Sequence, residues 1–407
     1  MRFKPSHLKI FSVSLFLIFV FSCAYHEPKT PTLPAYNASP NTPISTAQTG
    51  KTGQTAPSQG PSEDALANGV KNFNFSSKSL FRPVSWRDLP TFESTPTAQI
   101  WSDLLENCIK PHPIWSPSCK EMRPLTLADE QEQRMWMLSQ LQAYRVESLE
   151  GDNTGLLTSY YEPIFKASLT QHDGFNYPIY APPPGLLANK KRGDAWYSRR
   201  DIETLGTLQN ELQHQALAWL EDPLDVMILH VQGSARLRIE STPGQIQDYR
   251  ASFAASNDLP YQSIAKWMLD QGLTKDISWQ GIRAALDKNP QWIKEALWSN
   301  PRYIFFSLSS LTDPSLGPIG AMGSPLKAHL SVAVDPKSIP LGMPLWLESE
   351  GSASVKKMVL SQDTGNAING SIRADYFAGT GKEAGDFANK IKQNLKLWLI
   401  LPRAFHP

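Results

Sequence analysis

Apolar positions fall at helical spacing first. In "IWSDLLENCI" Ile100, Leu104, Leu105 and Cys108 share one face, which predicts an amphipathic helix. Trp136, Leu138, Leu141 and Tyr144 extend such a pattern, which predicts a longer helix over about 127–147. From about Gly155 the pattern changes to short strands and turns. "GLLTSYYEPIF" reads as strand, punctuated by Pro163. "LDVMILHVQGSARLRIE" has an apolar run from Val226 to Val231, then Gly233, then alternating Leu237 and Ile239, and it is read with the strands. Three short helices are expected between about Tyr261 and Trp298. The first ends at Gly272, the second is capped by Ser278 and the third starts at Pro290. From Tyr303 onward "YIFFSLS", "LSVAVD", "PLWLE", "VKKMVLSQD" and "LKLWLILP" predict strands, with a short helix at "GKEAGDFANKI". No repeat of fixed period is visible, which argues against solenoids and propellers.

The N-terminus follows a different pattern. Arg2, Lys4 and Lys9 precede the apolar stretch "IFSVSLFLIFVF", which reads as a secretory signal, short for a membrane span. "VFSC" resembles a bacterial lipobox, making residues 1–23 a lipoprotein signal peptide and Cys23 the lipidated first mature residue. Phe21 is bulkier than the usual residue there, and plain cleavage nearby or an uncleaved anchor are the alternatives. Ala24 after Cys23 resembles sorting to the outer membrane, with the protein on its periplasmic face. Residues 24–62 are rich in Pro, Thr, Ser, Gly and Gln, and read as a disordered tether.

Composition narrows the field. The chain has 407 residues, 41% hydrophobic, with a net charge of +1, enough to build cores and without a basic footprint for nucleic acid. In an oxidising compartment Cys108 and Cys119 are allowed a disulfide; two buried free thiols are the equal alternative. Neither sits in a metal-ligand pattern, so no metal and no cofactor are expected.

"LSQDTGNAINGSIRADYFAGTG" contains Asp-Thr-Gly once. An aspartic protease needs two such aspartates sharing a proton, and the chain has no second copy and no Asp-Ser-Gly. Asp363 instead has a second carboxylate nearby, Asp375, on a segment punctuated by Gly365, Gly370, Gly379 and Gly381. Two carboxylates on a glycine-punctuated β segment suit acid/base work on a sugar bond. Taken alone, each would be read as capping a turn; their pairing beside Tyr376 and Phe377 favours function.

This segment, with "GPIGAMGSPLKAHLSVAVDPKSIPLGMPLWLE" upstream, resembles the membrane-bound lytic murein transglycosylase A family. "LLTSYYEPIF", "DVMILHVQGSARLRI" and "NPRYIFF" resemble that family's other blocks in the same order, so the likeness spans about Gly155 to Leu401. It implies a mainly β fold with helices. A double-psi β-barrel with N-terminal helices would take residues 63–163 and 300–407, interrupted by a smaller β-rich substrate-binding domain over 164–299. A groove between the two would bind the glycan.

The implied activity is cleavage, without water, of the β-1,4 bond between N-acetylmuramic acid and N-acetylglucosamine in peptidoglycan, leaving 1,6-anhydromuramic ends. Asp375, in "RAD", carries over as the acid and base, with Asp363 as its partner. Tyr160, Tyr161, Gln232, Gly233, Ser234 and Gly365 are the expected substrate-binding residues; core packing is the alternative for one tyrosine. Asn366 and Asn369 stand where the family carries Gly and Lys. His230, in an apolar run, reads as a core histidine, and none of the 12 tryptophans is assigned to the groove. Expected partners are peptidoglycan strands, a membrane through the lipid anchor, and cell-wall synthesis or division complexes. A non-catalytic peptidoglycan-binding lipoprotein and a water-using hydrolase are the competing functions.

Overall fold

A computed structural model describes residues 71–72, 76–242 and 244–407. The expected signal peptide, Cys23 and the expected tether lie outside the described residues.

The strands divide between two principal sheets. β1 (Lys71–Asn72) makes a separate parallel pair with β16 (Phe405–His406). The larger sheet contains β2 (Ser79–Val84), β3 (Leu141–Ser148) and β4 (Gly155–Glu162). It continues with β11 (Ser331–Val334), β12 (Pro344–Glu350), β13 (Val355–Asp363), β14 (Arg373–Thr380) and β15 (Lys392–Pro402). The order β12-β13-β11-β14-β4-β15 closes on itself because β15 also pairs with β12, and β3 and β2 extend from β15. Closure leaves these six strands without a free edge. Their alternation follows the pleat. Leu157, Val332, Val334, Ala374 and Tyr376 point into one core with Leu347 and Leu397, while the residues between them face the other way.

Three helices cover this core: α1 (Thr97–Asn107), α2 (Ser116–Met122) and α3 (Glu130–Gln140). Cys108 and Cys119 are disulfide-bonded, with Cα atoms 5.4 Å apart, which decides between the two expected states. The long helix expected to 147 stops at Gln140. Leu141 and Tyr144 belong to β3, which pairs with β15 on one side and β2 on the other. Pairing on both sides outweighs a helical spacing carried by only two residues.

The second sheet has the order β10-β9-β8-β5-β7-β6. Its strands are β5 (Ile164–Ser168), β6 (Tyr177–Tyr180), β7 (Ala216–Leu220), β8 (Ser234–Thr242), β9 (Gln245–Ser256) and β10 (Ile304–Ser310). Because β10 belongs here, this sheet runs past the expected boundary at 299. Three helices the sequence pattern did not reveal lie within it: α4 (Pro184–Arg192), α5 (Arg199–Thr204) and α6 (Gly206–Leu212).

The run from Val226 to Val231, expected as strand, is a helix, α7 (Pro223–Gln232). Its limits were written in the sequence. The Asp222 side chain accepts from the Leu224 amide, Pro223 opens the helix, and Gly233 closes it at φ 80°. It is apolar all round because it is covered on two sides. Val226 and Leu229 pack into the sheet core, and Leu224, Met227 and Ile228 pack against α8 (Ile264–Asp270), α9 (Trp279–Lys288) and α10 (Ile293–Trp298). Those last three helices, the Ser278 cap and the positive φ of Gly272 are as expected. So is the short helix α11 (Lys382–Ala388).

Candidate active site

The two aspartates flank a single alanine. Ala333, on the short central strand β11, pairs by register with Asp375 of β14 on one side and Asp363 of β13 on the other. Neighbouring strands are about 4.8 Å apart, so the two aspartate backbones lie roughly 10 Å from each other, with only a methyl group between. Residues opposite one another in adjacent strands face the same way. Asp375 also pairs with Thr158 of β4, and Phe377 with Tyr160. One face of the barrel therefore carries Thr158, Tyr160, Asp375 and Phe377, with Asp363 at its far side.

Their hydrogen bonds are unequal. Both oxygens of Asp363 are taken: the Ala321 amide donates to Oδ1 at 2.9 Å and the Tyr160 hydroxyl to Oδ2 at 2.8 Å. Arg373 donates to the Thr158 hydroxyl at 2.7 Å, and that hydroxyl donates to Asp375 Oδ1. Asp375 Oδ2 has no partner among the described residues. Burial pushes the Asp375 carboxyl above the usual carboxylate range, against the Thr158 bond and the Arg373 charge, and the Asp363 charge adds to the rise. The side chain keeps a partial opening to solvent, but protein atoms crowd it closely enough for desolvation to dominate. Burial also raises Asp363, opposed by the bonds from Ala321, Tyr160 and Thr364. A carboxylate that accepts on both oxygens keeps its charge more readily than a neighbour with one oxygen free. Asp363 is therefore the better held anion of the two.

The Ala321 amide reaches Asp363 because Gly320 has no side chain. A Cβ there would lie 2.5 Å from Leu326 Cδ2 and 2.6 Å from the Gln362 carbonyl oxygen.

The expected binding residues fall into three groups. Tyr160 joins the site directly through Asp363 and packs on Phe377, with ring centroids 5.3 Å apart. Tyr161 faces the opposite side of β4 and packs on α11 at Gly385, while its backbone amide donates to Gln232 Oε1 at 3.0 Å. Gln232, Gly233 and Ser234 thus form the turn from α7 into β8, tied to β4 beside the site. Gly365 sits in the turn after Asp363, where Ile368 donates its amide to the Gly365 carbonyl. Asn366 and Asn369 bond to each other in that same turn. His230 is a core residue: its Nδ1 lies 2.7 Å from Arg199, and burial holds it neutral, well below its usual range.

Thr158, Arg373 and the Ala321 amide were missed. Thr158 and Arg373 each lie two residues before a chosen residue on an alternating strand, a signal that was available. A backbone amide leaves no such trace.

One ion cluster ties the two sheets together. Glu162, fully buried at the end of β4, accepts from Arg250 at 2.6 Å and Arg236 at 2.8 Å, both from the second sheet, and from Thr380 of β14 at 2.9 Å. Among the described residues no group of three or more His, Cys, Asp or Glu is placed to hold a metal ion, and no helix is long and apolar enough to cross a membrane.

Comparison with known proteins fits this architecture. The MltA specific insert domain matches residues 156–307 and the 3D domain matches residues 330–401. The membrane-bound lytic murein transglycosylase A of Escherichia coli K12 is 30% identical over 271 residues, covering 64% of this chain and 69% of that protein. The crystal structure of MltA from Neisseria gonorrhoeae is similar at 27% identity and a TM-score of 0.65, covering 82% of this chain and 97% of that one. E. coli MltA with bound chitohexaose is similar at 26% identity and a TM-score of 0.62, covering 79% and 94%. Sequence, domain order and fold agree that the chain belongs to the membrane-bound lytic murein transglycosylase A family.

Proposed function

We propose that this chain cleaves the β-1,4 bond between N-acetylmuramic acid and N-acetylglucosamine in peptidoglycan without water, with Asp375 as sole acid and base. The observation that carries the assignment is the asymmetry of the pair. Asp363 is saturated by two donors, whereas Asp375 is fixed through one oxygen and has the other free.

The chemistry follows from that free oxygen. Asp375 Oδ2 gives its proton to the glycosidic oxygen as the bond from muramic C1 to that oxygen breaks, and the bonding pair leaves with N-acetylglucosamine. The muramic C6 hydroxyl then attacks C1 and passes its proton to the Asp375 carboxylate. A 1,6-anhydro ring forms, the enzyme is restored and no atom is gained. The nucleophile is tethered to the reacting carbon, so no water has to be positioned. The charge on Asp363 favours protonated Asp375 before the first step and stabilises positive charge at C1 during it.

The chitohexaose bound to E. coli MltA supports a glycan strand as the ligand here, along the face bearing Tyr160 and beside the turn at Gln232, Gly233 and Ser234. Relatives named membrane-bound support placement at a membrane, with lipidation of Cys23 as the anchor and the outer membrane as the site. Cys23→Ala then moves the protein from the membrane to the soluble fraction; retention would make the apolar leader an uncleaved anchor.

Mass analysis of muropeptides released from purified sacculi tests the chemistry. Products lighter by one water than hydrolysed ones are expected. Ordinary reducing ends would mean a hydrolase, and binding to sacculi without release would mean a scaffold.

A further inference from the structure

Beside the carboxylates lies a cavity of about 540 Å³, within the range of small-ligand sites. The segment between β10 and β11 builds both. It delivers the Ala321 amide to Asp363, and its two arms, near Leu316 and from Ser324 to Ala328, wall the cavity. Phe377, which packs on Tyr160, and Gln362, which precedes Asp363, complete the side toward the active site.

The lining has a distinct chemistry. Leu316, Leu326 and Phe377 make it largely apolar, yet Phe377 is only 1% exposed and presents no open ring face for a sugar. At the rim stand two ammonium groups. Lys110 donates to the Gly323 carbonyl at 3.1 Å, and Lys327 pairs with Glu106 while remaining half exposed. In its wall is Ser324, 8% exposed, whose hydroxyl is closed off from solvent and has no partner among the described residues. A buried hydroxyl left unpaired costs free energy unless a ligand completes it.

We propose that this cavity binds the short acidic peptide carried by the muramic sugar, which makes it a recognition site separate from the sugar-binding face. This rests on the peptidoglycan reading above. Alanyl methyl groups match the apolar walls. Peptide carboxylates match Lys110 and Lys327, and a peptide carbonyl or amide matches Ser324. An uncharged acetamido sugar would use neither ammonium group.

The test compares KM on intact sacculi with KM on glycan strands stripped of peptide by an amidase, using the full chain. Ser324→Ala and Lys327→Ala should each reduce the preference for peptide-bearing substrate by about three- to tenfold, as expected for loss of one polar or charge-assisted contact. Ser324→Ala breaks no bond within the protein, so its melting temperature should not fall, which separates recognition from folding. Equal KM increases on both substrates would place a sugar in the cavity and overturn the proposal, as would no change on either. If the wild-type chain cleaves neither substrate, the transglycosylase reading fails by itself. Calorimetric titration with the free murein tetrapeptide then decides the cavity: binding weakened by Lys327→Ala upholds it, and no binding refutes it.

Discussion

The two sheets solve different problems. The barrel is closed, each of its six strands is paired on both sides, and one continuous core runs through it, with Leu347 and Leu397 facing in and Trp346 and Trp398 packed on the opposite face. The inserted sheet is open, with β10 and β6 at its edges, and its apolar residues fall into three smaller clusters. The two carboxylates sit on the first. Asp363, Ala333, Asp375 and Thr158 occupy four adjacent strands, so their spacing is fixed by backbone register. The second sheet contributes no carboxylate to the site. It is held beside the site by Arg236 and Arg250 on one glutamate. The carboxylates lie where strand pairing is complete, and the sheet beside them is joined through a local lock.

Exchanging the carboxylates one at a time tests the chemical half of this contrast, and the largest effect is expected there. Asp375→Asn keeps an acceptor for Thr158 but has no proton to give. Its kcat should fall about 10²–10⁴-fold, with sacculus binding and melting temperature retained. Asp363→Asn should cost less, since it removes a charge and disturbs two hydrogen bonds but no transferred proton. Equal losses would mean that the two carboxylates act as one unit, and the asymmetry of their bonds would lose its meaning.

The structural half is tested at Glu162. Glu162→Ala leaves two largely buried guanidinium groups without their carboxylate, and breaking a buried ion cluster in this way typically costs about 3–5 kcal/mol. The loss should appear as a lower denaturation midpoint and, in the surviving folded protein, as a higher KM more than a lower kcat. An unchanged midpoint would mean that the apolar contacts at the junction suffice and that the lock is not the connection.

The same contrast governs what could be read in the sequence. Barrel strands such as "LSVAVD" and "VKKMVLSQD" were legible as short apolar runs between Pro and Gly turns, buried along most of their length, and the Asp363–Asp375 pairing was legible because the strands bearing both are close in sequence. The inserted sheet was less so. Val226 to Val231 reads as strand because a helix buried on two sides loses its periodicity, although Asp222, Pro223 and Gly233 mark its ends. The helices over 184–212 are short, and only one small cluster supports them. The Glu162 lock joins residues 74 and 88 positions apart, which no local pattern reveals. The cavity depends on a loop without regular structure, whose position is set by glycine contacts and not by periodicity.

Tyr160 gives the smallest and most discriminating test, because it acts on Asp375 only through Asp363. Its own hydroxyl stays protonated, since burial first, and then the Asp363 charge, push it well above the usual tyrosine range. It therefore donates to Asp363 across the working pH range, and that bond lowers the Asp363 pKa. Tyr160→Phe removes the bond, so the Asp363 pKa rises and the carboxyl is neutral over more of the range. Less negative charge then faces Asp375, whose pKa was held up in part by that charge and now falls. Because the proposed reaction needs protonated Asp375, activity should be lost as pH rises through its pKa. The alkaline limb of the kcat profile should therefore move to lower pH, with about a tenfold loss at neutral pH, as for a hydrogen bond to a charged group. A uniform drop with an unmoved limb would show that the tyrosine only packs against Phe377, and a limb moving to higher pH would reverse the roles of the two aspartates.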